Sequence, residues 1–397
     1  MNPGGKIRVL IVDDSAFMRK VLVSIITSDP QLEVVGEARD GREAVNLSES
    51  TKPNVITMDI NMPHMDGLQA TEIIMSSNPR PILIVSSETR EGADITLKAL
   101  ELGAIEFVAK PSSGIDLDMN TVREELLRKL KMAAKVRVVR TATRSHLQKE
   151  IAASSPRTEP ASPLVAKVEV SSAAQTAAHI KIDTPAAAPN STFGGVKPKG
   201  KFPVIVVAAS TGGPATLMKF VPMFPENFPG AVLLIQHMPG NFTGQFGEQL
   251  AEVSKIKVKE ATQGEMLQPG HVYVCPGTHH LRLTPTGRIT LDDGPRIAGY
   301  RPCADVTMET VATFAGSMGI GVILTGMGND GARGVQAIKA GGGHVFAQDE
   351  TSSIIFGMPS EAIKTGVVDQ VTSIEHMYHS IEKRVLYIYG AAKVGAL

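Results

Sequence analysis

The sequence contains no tryptophan and only two cysteines, Cys275 and Cys303. Two cysteines exclude a disulfide framework and a cysteine-rich zinc site, and they fit a reducing compartment. Other aromatics are scarce: 12 Phe and 5 Tyr among 397 residues leave little material for stacking single-stranded nucleic acid. Neither sign of charge is in excess. Lys plus Arg is 40 and Asp plus Glu is 40, which argues against a general binder of nucleic acid or acidic membrane, because both need a basic surface. No run of about 18 apolar residues occurs, so no transmembrane helix and no membrane insertion are expected. The opening stretch from Met1 to Val12 runs straight into Asp13 and Asp14, which is not the pattern of a secretory signal. A cytoplasmic location follows as an expectation.

What is present divides unevenly. Between Thr141 and Gly200, Ala, Ser, Thr, Pro and Gly make up 34 of 60 residues, and Phe193 is the sole aromatic. Such a stretch buries too little apolar surface to offset its ordering entropy and reads as a flexible linker. Length alone suggests roughly two or three domains. The linker reduces the expectation to two, over residues 1–138 and 201–397, joined by 139–200.

The first block alternates apolar runs with segments of helical period. Strands are expected at Ile7–Val12, Leu32–Glu37, Asn54–Met58, Pro81–Ser86 and Ala104–Ala109, with helices at Ala16–Thr27, Gly41–Ser50, Leu68–Ser77, Asp94–Leu102 and Asn120–Lys135. Five such units suit a flavodoxin-like α/β domain, a parallel five-stranded doubly wound sheet whose working edge is the carboxyl end of the strands. Asp13 and Asp14 follow the first strand, Asp59 the third, Ser86 ends the fourth and Lys110 follows the fifth. Three carboxylates converging there would repel one another without a cation between them, and hard oxygen ligands suit Mg²⁺. A lysine and a hydroxyl beside the ion could hold the oxygens of a phosphoryl group in transfer to Asp59.

Val12-Asp13-Asp14-Ser15, Met58-Asp59-Ile60-Asn61-Met62-Pro63-His64-Met65-Asp66-Gly67 and Lys110-Pro111 resemble the response-regulator receiver domain over about residues 5–135. The resemblance implies phosphorylation of Asp59 by a histidine kinase. It implies Mg²⁺ on Asp13, Asp14, Asp59 and the backbone of Asn61, and phosphoryl contacts from Ser86 and Lys110. Phe107 matches the family's switch aromatic, with Phe where Tyr is common.

The second block repeats the alternation. Strands are expected at Pro203–Ala209, Ala231–Gln236, Gly321–Thr325 and His344–Ala347. Val272–Cys275, Leu281–Thr284 and Arg288–Leu291 read as an antiparallel patch in a mostly parallel, Rossmann-like sheet, and Ile374–Leu386 as a closing helix. Ser210 in Ser210-Thr211-Gly212-Gly213-Pro214 follows the first of these strands and starts a helix. His237 follows the second, and Asp330 lies in the Gly326-to-Gly331 turn after Gly321–Thr325. All three fall on one sheet edge and could serve as nucleophile, base and orienter. No metal is needed for that chemistry. The adjacent His279 and His280 would point to opposite faces of a strand and make a poor metal pair. A second reading competes. Gly326-x-Gly328-x-x-Gly331 is a dinucleotide fingerprint, and Asp349 sits where a ribose-binding acid would. From spacing alone the two readings stand close.

Ala209-Ser210-Thr211-Gly212-Gly213-Pro214, Gln236-His237-Met238, Pro276-Gly277-Thr278-His279-His280-Leu281 and Leu324-Thr325-Gly326-Met327-Gly328-Asn329-Asp330-Gly331 resemble the catalytic domain of the chemotaxis protein-glutamate methylesterases, the CheB family, over about residues 203–390. Cys275 departs from the alanine usual before Pro-Gly. The resemblance implies a hydrolase acting on glutamate methyl esters of methyl-accepting chemoreceptors, with deamidation of glutamines as a companion activity. Ser210, His237 and Asp330 would form its triad, with oxyanion donors near Thr211 and Met327. Its partners would be a chemotaxis histidine kinase and the receptors, with no nucleic acid. The receiver would cover the Ser210 edge until Asp59 is phosphorylated, giving sensory adaptation. A non-catalytic DNA-binding regulator is the least supported alternative, because no segment after Lys201 reads as a basic recognition helix.

Overall fold

A computed structural model describes residues 5–86, 90–110, 119–136, 193 and 201–394. The linker expected over 139–200 lies outside the described residues, apart from Phe193. The first block contains β1 (Ile7–Val12), α1 (Ala16–Thr27), β2 (Leu32–Ala38), α2 (Gly41–Thr51), β3 (Val55–Met58), α3 (Gly67–Ser77), β4 (Ile82–Ser86), α4 (Arg90–Glu101), β5 (Glu106–Ala109) and α5 (Met119–Ala133). All strands pair in parallel in the order β2-β1-β3-β4-β5. β3 and β4 are buried on both faces, which accounts for their mostly apolar sequences. Three helices begin where a side chain satisfies a free N–H: Ser15 accepts from Met18, Asp40 from Glu43 and Asp66 from Gln69.

The second block contains β6 (Val204–Ala209), α6 (Gly213–Phe220), β7 (Ala231–Gln236), α7 (Gly240–Val253), β8 (Lys257–Glu260), β9 (His271–Val274), β10 (His280–Leu283), β11 (Ile289–Asp292), α8 (Ala304–Ala315), β12 (Gly319–Ile323), α9 (Ala332–Ala340), β13 (His344–Gln348), α10 (Met358–Lys364), β14 (Gln370–Thr372) and α11 (Ile374–Val394). Seven strands form one parallel sheet in the order β14-β13-β12-β6-β7-β9-β8, and β10 and β11 pair antiparallel in a sheet of their own.

Two of the three segments expected in the antiparallel patch are there. The third, Val272–Cys275, instead joins the parallel sheet as β9, between β7 and β8. Its apolar run reflects burial in a central position. The short edge strands β8 and β14 escaped the sequence reading. β8 alternates exposed Lys257 and Lys259 with half-buried neighbours, a pattern that reads as polar surface and suits an edge that must not pair further.

The chain enters this sheet at β6, adds β7 on one side and later returns to add β12 on the other. The order reverses at β6, and the crevice at such a switch point is where α/β sheets hold their sites.

One buried cluster runs through both blocks. Phe107 of β5 is 1% exposed, and its ring lies 4.5 Å, centroid to centroid, from Phe242 of α7. Phe193 is also buried and meets Phe228 edge to face at 5.7 Å.

Backbone closeness fixes Gly67, the first residue of α3. A Cβ there would collide with the Asp59 carbonyl oxygen and stand 2.8 Å from Ile60 Cα. Gly67→Ala should therefore destabilise the full chain by about 1–3 kcal/mol, the usual cost of overpacking. Urea unfolding measures this, and an unchanged midpoint would show that the Asp59 loop yields.

Candidate functional site

Two constellations sit at strand carboxyl ends. In the first, Asp13 and Asp59 are buried, Asp14 is exposed, and single oxygens of the three lie within 4.8 Å of one another. Lys110 reaches from the end of β5 to Asp59 Oδ2 at 2.7 Å and Asp13 Oδ2 at 3.0 Å. The Lys110 ion pair leaves Asp13 Oδ2 buried without a well-aligned hydrogen bond. Asp13 Oδ1 accepts from the Ser15 N–H and Asp59 Oδ1 from the Ile60 N–H, so each acid keeps one oxygen tied to backbone and turns the other inward. Burial pushes the Asp59 carboxyl up, Lys110 pulls it down, Asp13 raises it again, and the net direction is upward. Lys110 ends above its ordinary value despite burial, because both acids hold its charge. Ser86 is buried at the end of β4, and Asn61 is exposed two residues beyond Asp59. The sequence reading thus placed each member at the correct edge.

In the second constellation β6 lies between β12 and β7. The Ser210 N–H donates to the Thr325 carbonyl and the His237 N–H to the Ala209 carbonyl, so ladder bonds continue past the strands and hold Ser210 and His237 side by side. Gln236 ties the two turns together, its amide donating to the carbonyls of Ser210 and His237. His237 Nε2 lies 2.7 Å from Asp330 Oδ2.

Asp330 is buried yet well supplied with donors. The N–H of Ala304 reaches Oδ2 at 2.7 Å, and those of Asp305 and Gly331 reach Oδ1 at 3.0 Å each. The Cys303 thiol donates to Oδ1 at 3.2 Å. Burial alone would raise this carboxyl; His237 and the first N–H groups of α8 outweigh it and hold it below its ordinary value. Burial and Asp330 push the Cys303 thiol up to about 12, so it remains a protonated donor.

The ionised carboxylate can only accept, so Nε2 carries the proton of neutral His237. Nδ1 is then left with a lone pair, and among the described residues it is buried without a partner. Among the described residues no hydrogen bond joins Ser210 Oγ to a partner, and none occupies the backbone N–H of Thr211 or Met327. Gly212 takes φ +74°, which brings Ser210-Thr211 round into α6.

The glycines that resemble a dinucleotide fingerprint make room for the protein itself. A Cβ on Gly326 would stand 2.9 Å from Ser210 Cβ and collide with Met358 Sδ; one on Gly328 would collide with the Tyr300 hydroxyl; one on Gly331 would press on Ile323. Each of these glycines lies against a protein side chain, which accounts for it without a bound pyrophosphate. Asp349 is equally engaged, accepting from the N–H and hydroxyl of Ser352. The dinucleotide reading is therefore set aside.

The two histidines after Thr278 do point apart: His280 is buried, with Nε2 toward the Pro295 carbonyl, and His279 Nδ1 meets Thr278 Oγ1. Cys275 is fully buried as a small apolar residue, and burial drives its thiol far above the ordinary range.

Three contributors were missed in the sequence. Tyr300 stacks on His237 at 4.6 Å and 18°. Arg128 of α5 donates to Met327 Sδ at 3.1 Å. Ile354 packs on the β1-side core of the first block and occupies the space above Gly212. No local pattern marks any of them, because each acts across a long span of chain.

The lowered carboxyl of Asp330 carries a pH signature. A depressed folded-state value contributes stability above the unfolded value and loses it as pH falls through the folded one. The stability gap between wild type and Asp330→Asn should be full at pH 7 and narrow below about pH 4. Denaturant titrations at several pH values test this; a gap constant with pH would refute it.

A family model described as CheB methylesterase matches residues 205–381, and one described as response regulator receiver domain matches residues 9–121. A protein-glutamate methylesterase/protein-glutamine glutaminase of Pyrococcus abyssi is 44% identical over 395 residues, 99% of this chain and 97% of that protein. A protein of the same name from Symbiobacterium thermophilum is 39% identical over 379 residues, 96% of this chain and 97% of that protein. The crystal structure of the Thermotoga maritima CheB methylesterase catalytic domain is 38% identical, with a TM-score of 0.45, and covers 47% of this chain and 100% of that one.

Proposed function

Because the chain belongs to the CheB methylesterase family and carries a response regulator receiver domain, we propose that it is a phosphorylation-controlled protein-glutamate methylesterase and glutaminase. Its substrates are glutamate methyl esters and glutamines of methyl-accepting chemoreceptors, its role is sensory adaptation in chemotaxis, and its place is the cytoplasm. No helix among the described residues is long and apolar enough to cross a membrane. Residues 1–138 are the receiver, 139–200 the linker and 201–397 the catalytic domain, with Phe193 docked on Phe228 just ahead of that boundary.

The observation that carries the catalytic assignment is the state of His237. Its Nε2 is committed to an ionised Asp330 at 2.7 Å while Nδ1 is left as a base without a partner. Ser210 Oγ attacks the ester carbonyl and passes its proton to Nδ1. The tetrahedral oxyanion is received by the N–H groups of Thr211 and Met327. It collapses as His237 returns the proton to the departing methanol, leaving an acyl-enzyme on Ser210. Water activated by Nδ1 then releases the carboxylate. With a glutamine substrate ammonia leaves instead. Asp330 keeps the tautomer fixed and stabilises the imidazolium formed at each transfer.

Asp59 accepts the phosphoryl group from a phosphohistidine of the chemotaxis kinase, with Ser86 and Lys110 against its oxygens. Asp13, Asp14, Asp59 and the backbone carbonyl of Asn61 would hold Mg²⁺, and the inward oxygens of the acids fit such an ion. When bound, the ion supplies positive charge to the phosphoryl oxygens. Control follows from the contacts between the two domains. Arg128 rests on Met327, Ile354 reaches the receiver core, and Phe107 is buried on Phe242 of the helix that follows His237. Phosphorylation of Asp59 repacks this face and frees the Ser210 edge.

Methanol release from methylated chemoreceptors, with and without a small phosphodonor, tests both assignments. Ser210→Ala should lower turnover by at least about 10³-fold; retained turnover would remove the triad. Asp59→Asn should bring the ratio of rates with and without phosphodonor to about one. A ratio as large as in wild type would refute the regulatory role of Asp59.

A further inference from the structure

The motif residues do not by themselves hold the imidazole of His237. Asp330 contacts one edge of the ring, Nδ1 has no partner, and a single hydrogen bond leaves the ring free to rotate about the Nε2–Oδ2 direction. One face of the ring is covered instead by Tyr300, with ring centroids 4.6 Å apart and planes 18° from parallel.

Tyr300 is itself anchored at both ends. Its hydroxyl lies against the backbone of Gly328, two residues before Asp330. It occupies the space left by the missing side chain of Gly328, which takes φ +95°. The backbone of Tyr300 exchanges two hydrogen bonds with Ile297, at 2.9 and 3.0 Å, closing the turn Ile297–Tyr300. Next in the chain, Arg301 holds the carbonyls of Asp293 and Gly294 at 3.0 Å each. Two residues later Cys303 and the start of α8 bind Asp330. The loop that carries the stacking ring is therefore the loop that delivers the donors to the carboxylate.

We infer that Tyr300 is a positioning residue for the methylesterase reaction: its ring fixes the plane of the His237 imidazole so that Nδ1 stays directed to the Ser210 edge. The inference rests on the reading of His237 as the base. The stack acts in the plane that hydrogen bonds leave undefined, because parallel aromatic faces resist rotation of one ring against the other. Tyr300 also forms one wall of a cavity of about 300 Å³ whose lining includes Asn329, Asp330 and Arg333.

The assignment separates the roles of ring and hydroxyl. Tyr300→Leu should lower kcat by about ten- to a hundred-fold, the penalty of a misplaced reacting group, while KM stays within about three-fold because no substrate contact is lost. Tyr300→Phe keeps the ring and should recover kcat to within about three-fold of wild type, since only the hydroxyl against Gly328 is removed. Proton NMR of the full chain gives a readout independent of turnover. The low-field Nε2–H signal of His237 should be sharp in wild type and Tyr300→Phe, and broadened or lost in Tyr300→Leu.

A wild-type kcat for Tyr300→Leu would overturn the inference. So would equal losses in the Leu and Phe variants, or a loss confined to KM. Ser210→Ala, measured alongside, keeps the two levels apart. If it still turns over, the triad reading fails and the inference with it. If it is inactive while Tyr300→Leu is normal, only the stacking role fails.

Discussion

A carboxylate buried at 2% exposure, Asp330, sets the arrangement of the catalytic half. An ion removed from water must be supplied with donors or it becomes neutral. Here the supply comes from His237, from the first N–H groups of α8, from Gly331 and from the Cys303 thiol. To provide them, α8 must aim its N-terminus at the turn after β12, and the loop ahead of α8 must pass over the site. That loop brings Tyr300 onto His237. The tautomer of the imidazole, the position of α8 and the stacking ring are thus consequences of one buried charge.

The receiver half obeys a related electrostatic constraint with the opposite solution. Asp13 and Asp59 are held together by Lys110 and by single backbone N–H groups, so part of their demand remains open. A site left short of positive charge is suited to take up a cation; a site fully satisfied, like Asp330, is suited to remain fixed. Among the described residues the ring contact between the two halves, Phe107 on Phe242, is apolar. Such a contact can be repacked without leaving an unsatisfied ion behind.

Much of this was legible from periodicity and punctuation. The first block reads cleanly because β3 and β4 are short, mostly apolar runs and because Ser15, Asp40 and Asp66 sit where helices begin. In the second block the same rules located β6, β7, β12 and β13, but not the partner of β9 or the existence of β8. A four-residue strand carries too little pattern to state which neighbour it joins. The Gly326–Gly331 turn shows the limit most clearly. Glycine reports that something approaches the backbone closely, not what does, so pyrophosphate and Tyr300 leave the same trace.

The sequence by itself determined that two α/β units are present and that chemically capable residues follow their strands. A strand's carboxyl end is a local property, set by where an apolar run stops, and Asp13, Asp59, Lys110, Ser210 and His237 all inherit their place from it. Tertiary structure alone decided which ring nitrogen of His237 faces Asp330, what covers its plane and what lies over Gly212. Those are settled by Asp330, Tyr300 and Ile354, each more than sixty residues from its partner. Contacts at that separation depend on how sheets and loops pack together, and no local pattern of residues encodes them.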